Sequence, residues 1–183
     1  MKRALMAAVM AAAIAFAIAG CTSENTKYLQ TVSPIAAKME KVAAEATALA
    51  TEVRAKNEAA DAVSRVDALE KNVQAINMEL TNIMAPPDYV SIHAAMVKGM
   101  ASELTGLSTL RGYSARVSLA MALRAKIDGL ATGGEAAAAE KLKVEAQLEG
   151  VRKEMVGQWS YWSENHTFFT DTLRGYLASL KKK

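Results

Sequence analysis

The chain has 183 residues, with 22 basic and 19 acidic side chains and a formal net charge of +3. That near balance leaves no large single-sign field, and with it no electrostatic case for nucleic acid as a partner. Its one cysteine, Cys21, excludes an internal disulfide framework.

The first element is a leader. Lys2 and Arg3 precede an apolar run from Ala4 to Ile18 that is too short for a comfortable membrane span, and the run closes on Ile18-Ala19-Gly20-Cys21. This stretch resembles the lipobox signal of bacterial lipoproteins. The resemblance implies cleavage before Cys21, acyl chains on that cysteine, and a membrane-tethered protein that does not span. Two other readings stay open: Ala17-Ile18-Ala19 fits ordinary signal cleavage, and the uncleaved run would make a weak anchor. Thr22 is not the aspartate that marks inner-membrane retention in enteric lipoproteins, which points to the periplasmic face of an outer membrane. Residues 1–20 are thus read as signal peptide, 21–33 as lipidated cysteine and polar linker, and 34–183 as one helical domain.

After the leader the chain reads as helix almost throughout. Pro34, Pro86 and Pro87 are its only prolines, and each is placed at a helix start, where a missing N–H costs nothing. Thr132-Gly133-Gly134 supplies a stop before the last helix. Three segments result, 34–84, 88–131 and 135–180, each with apolar residues stepping by threes and fours. The most regular stripe runs through Leu148, Met155, Trp159, Trp162, His166, Phe169, Leu173, Tyr176 and Leu180, with Arg152 as a gap.

Short connections make neighbouring helices antiparallel. The predicted fold is all-α, an elongated antiparallel bundle of three long helices. Its alternative is a four-helix bundle with a break near Lys56-Asn57, where a polar pair interrupts the first stripe. In the three-helix register, alanine-rich stretches of all segments meet near the membrane, and the bulky residues gather at the far end. The same register sets Gly99 opposite His166 and Gly106 opposite Trp159.

Chemistry-bearing patterns are sparse. There is no glycine-rich phosphate loop, no clustered metal-ligand pattern and no nucleophile with a nearby base and acid in the sequence, which predicts a protein that is not an enzyme. One constellation has a chemical reading: His93, Met96 and Met100 share a helix face near Met78 and Met84. Imidazole and thioether suit Cu(I) or a haem iron, with His166 as a further ligand, although methionine is also ordinary core filler.

Six of the nine aromatic residues after the signal fall between Trp159 and Tyr176. Most occupy the seam, but Tyr161 and Phe168 lie off it, seven residues apart on one face. Together with Tyr89 they form the candidate partner surface, at the end expected to be distal to the membrane. The Pro86-Pro87-Asp88-Tyr89 restart followed by His93 loosely resembles helical-bundle domains of uncharacterised bacterial envelope proteins and implies no catalytic residues. The leading functional expectation is a lipid-anchored envelope scaffold or adaptor that binds another protein or self-associates. The alternative is a carrier of a small ligand, haem or copper.

Overall fold

Helix formers fill this chain, and every regular element among the described residues is an α-helix. The computed structural model describes residues 23–56, 61–131 and 133–181. Residues 1–20, expected from the sequence to form a signal peptide, and Cys21 lie outside them. The helices are α1 (Glu24–Lys56), α2 (Ala62–Thr81), α3 (Val90–Gly129) and α4 (Glu135–Lys181). Among the described residues no helix is long and apolar enough to cross a membrane.

Three long helices are therefore not what forms; the break near Lys56-Asn57 makes four. α1 ends at Lys56, and α2 folds back along it through the ion pairs Lys38–Glu79 and Arg65–Glu52. Arg111–Asp67 ties α2 to α3, and Arg116–Glu154 ties α3 to α4. Thr47 meets His166 and Arg54 lies 4.5 Å above the Trp159 ring, so α1 runs antiparallel to α4 and parallel to α3. The four helices enclose one core that includes Met39, Leu49, Val66, Met96, Leu107, Leu110 and Phe169.

The first helix starts ten residues earlier than the proline pattern predicts, and Pro34 sits inside it. A proline there removes one backbone hydrogen bond and costs about 3 kcal/mol. Tyr28 and Val32 are buried by that extra length, on the same face as Ile35 and Ala36 beyond the proline, and each large apolar side chain returns about 1.5–3 kcal/mol on burial. Burial of the face wins. The Pro34 ring itself points to solvent.

Pro86 and Pro87 do mark a start. The Pro86 carbonyl accepts from Tyr89 and Val90 N–H groups at 2.8 and 3.2 Å, satisfying two of the donors that open α3. At the next turn Gly133 is required, because a Cβ there would run into the Cβ of Ala137.

Thickness is also opposite to the expected polarity. The four-helix section begins at residue 23, beside the Pro86-Pro87 turn and the end of α4, as the bonds of Tyr28 to His93 and Tyr176 show. Val53 is the last buried residue of α1 and Ala62 the first of α2. Past that level, among the described residues, only α3 and α4 continue, as a hairpin through Lys126–Glu140 to the turn near Gly133. The alanine-rich, thin end is the one far from residue 23. Leu49 therefore lies well away from Ile127, not level with it.

Candidate functional site

The described core holds two histidine nodes. Near the residue-23 end, the His93 ring donates to the Leu80 carbonyl of α2, which leaves Nδ1 as the acceptor of a neutral imidazole. The Tyr28 hydroxyl of α1 stands 2.9 Å from that Nδ1 and donates to it. Having spent its one hydrogen, Tyr28 accepts from Tyr176 of α4 at 3.1 Å. One relay thus joins all four helices.

Burial lowers the His93 pKa, with the Leu80 bond opposing, so the ring stays neutral as an acceptor must. Burial likewise raises the Tyr28 hydroxyl, with the bond from Tyr176 opposing. The Tyr176 hydroxyl is raised strongly, first by burial and then by donating to Tyr28.

A second node lies deeper along the bundle. His166 Nδ1 is 3.1 and 2.9 Å from the two oxygens of Glu103, which is 0% exposed, and Nε2 is 2.9 Å from Thr47 Oγ1. Thr47 gives its own hydrogen to the Ala43 carbonyl, so Nε2 must be the donor to it. The remaining proton lies between Nδ1 and Glu103. On nitrogen it makes an ion pair and on oxygen a neutral pair, and in both cases the node carries no net charge. The imidazole stacks on Trp162 at 5.1 Å and 14°.

The two nodes keep the proposed ligands apart. His93 and His166 belong to different nodes, and both ring nitrogens of each are hydrogen-bonded to protein. Met96 and Met100 are fully buried in the core, whereas Met78 and Met84 are exposed and do not join them. No group of three or more histidine, cysteine, aspartate or glutamate side chains suited to a metal occurs among the described residues.

The three candidate partner residues also separate. Tyr89 is only 2% exposed, its ring packed 4.9 Å from Tyr28, and this corrects its placement on a surface. Its position one residue before α3 puts it under the turn, where the core needs a cap. Tyr161 and Phe168 are 52% and 44% exposed on the outer face of α4. They flank a shallow groove with Lys98, Ser102 and Thr105 of α3. Lys98 Nζ lies 5.8 Å from the Phe168 centroid.

Small residues let that outer face form. Ser102 donates to Asn165 Oδ1 at 2.8 Å, and Asn165 donates to the Tyr161 carbonyl at 2.8 Å. A Cβ on Gly106 would meet Asn165 and Trp162, and one on Gly99 would meet Met96 and Thr172. The predicted opposites, Trp159 and His166, are thus displaced by roughly one to two turns of α4. Glu103, Thr47 and Tyr28 were missed by sequence reading. Glu103 had a signal, since it sits seven residues from both Met96 and Leu110, on a column otherwise apolar.

No protein family, curated protein or solved structure matches this chain.

Proposed function

We propose that the protein is a lipid-anchored scaffold or adaptor of the cell envelope that binds another protein through the outer α3–α4 face. The observation that carries this reading is the pair Tyr161 and Phe168, large aromatics left at the surface while Trp162, Phe169 and Tyr176 of the same helix are buried. Exposed aromatics on a rigid helix face are the side chains that contribute most to protein interfaces. The anchor in this reading is Cys21, supported by the lipobox-like segment. Such an anchor would stand next to the Pro86-Pro87 turn and Lys181, and the two-helix hairpin would point away from the bilayer.

Both histidines are spent on holding helices together, which leaves no free imidazole nitrogen for the carrier alternative. Two experiments test the adaptor. Cys21→Ala should abolish partitioning into detergent and remove the acyl mass; a mature chain cleaved elsewhere with a free Cys21 thiol rejects the anchor. Replacing Tyr161 and Phe168 together by alanine should weaken recovery of the partner and leave the helical circular dichroism unchanged. Unfolding of that variant would show the two rings to be structural and reject this face.

A further inference from the structure

We infer that the groove between α3 and α4, just past the end of the α1–α2 layer, docks an acidic amphipathic helix of another protein. The inference extends the adaptor reading but depends on neither lipidation nor the Tyr161–Phe168 face.

Heptad columns locate the groove. On α4, Leu173, His166 and Trp159 face the core, and seven residues further back comes Arg152. On α3, Met96, Glu103, Leu110 and Val117 are followed by Arg124. The two core columns become arginine past the level of Val53 and Ala62, the buried residues nearest the α1–α2 connection. Between them lies a groove of about 230 Å³ whose floor includes Val117, Met121, Leu148 and Met155. Met121 is 49% exposed there, although its column is buried lower down at Met100, Leu107 and Ser114.

Charge complementarity names the occupant. Every other basic residue of the projecting hairpin faces an acid: Arg116 Glu154, Lys126 and Lys143 Glu140, Lys141 Glu145, and Lys153 Glu149. Arg124 and Arg152 have no acidic partner among the described residues. Two unpaired guanidinium groups rimming a methionine-containing apolar floor call for apolar side chains flanked by carboxylates, which arginine engages through its planar fork. A helix laid there end to end with α1 would restore the layer that α1 and α2 vacate, and it would need carboxylates where α1 has Leu49 and Val53.

The test uses the mature chain with Cys21→Ser and a fluorescein-labelled synthetic helical peptide of about 18 residues, roughly 27 Å long. The peptide carries leucines along one face with glutamates beside them, and a control peptide has lysine for every glutamate. Fluorescence anisotropy should show micromolar binding of the glutamate peptide and at least about tenfold weaker binding of the control. Arg124→Glu with Arg152→Glu should invert that preference, and Arg124→Gln with Arg152→Gln should abolish it. Both sites are exposed, and circular dichroism verifies that the variants fold. Equal binding of both peptides, unchanged binding by the variants or no binding at all overturns the inference. So does a dimer by sedimentation that the peptide fails to dissociate, because the occupant is then a second copy of this chain.

Discussion

The two ends of α3 and α4 share the same helices but live in different solvents. Toward the residue-23 end they are half of a four-helix core, with whole columns of side chains removed from water; toward Gly133 they have only each other. Leu107 and Met121 illustrate the difference, since they share one heptad column of α3 and the first is fully buried while the second is half exposed. The comparison teaches that stability here is supplied by the α1–α2 layer, and that helix continuity alone does not imply uniform burial.

Within the four-helix section, the most sensitive position is Glu103. Glu103→Ala leaves the buried His166 ring without its partner and should cost about 3–5 kcal/mol in urea unfolding. Replacing both, Glu103→Leu with His166→Phe, should recover most of the loss, because two apolar side chains leave nothing unpaired. A double replacement as damaging as the single one would show that the pair itself, and not the orphaned group, supplies the stability.

Core truncation comes next. Leu107→Ala should destabilise by about 2–5 kcal/mol, whereas Met121→Ala, in the same column on the hairpin, should cost about 1 kcal/mol or less. Equal losses would mean that the hairpin packs as tightly as the bundle. Hydrogen exchange should rank the same way, with amides of residues 120–128 and 137–147 less protected than those of 96–110.

The His93 relay sets a pH response in the four-helix section only. Because burial holds the folded pKa of His93 below its ordinary value near 6.5, the unfolded chain takes up the proton first as pH falls. Stability is therefore full above about pH 6.5 and declines below it, by at most about 1.4 kcal/mol per pH unit from this group. Tyr28 and Tyr176 act in the opposite direction: their folded pKa values are raised, so stability holds below about pH 10 and is lost as pH rises above it. Chemical denaturation of His93→Gln from pH 5 to 8 should show the acid limb flattened. An unchanged limb would assign it elsewhere.

The smallest effect concerns the outer face. Tyr161→Ala and Phe168→Ala should each change unfolding free energy by no more than about 0.5 kcal/mol, since neither side chain enters the core. A larger loss would merge the proposed partner surface with the structural core.

Much of this architecture was written in local sequence. The three- and four-residue steps of the Leu148–Leu180 stripe gave helix and seam, the Pro86-Pro87 pair a start and Thr132-Gly133-Gly134 a stop, because backbone dihedrals and side-chain periodicity are local quantities. The off-seam positions of Tyr161 and Phe168 followed from the same period. Arg152, a gap in the stripe, was legible as an anomaly.

Which residues share a level depends instead on how all four helices pack. A stripe that is interrupted at Lys56-Asn57 and then resumes fits one long helix or two folded ones, and the choice between them depends on which arrangement buries Val53 and Ala62 in the common core. That choice reversed the bundle's thick and thin ends and put Tyr89 inside. It also built the Tyr28–His93–Tyr176 and Thr47–His166–Glu103 nodes from residues between 63 and 148 positions apart. Hydrogen-bond satisfaction in a closed core is a property of all the helices at once, so no segment read by itself contains it.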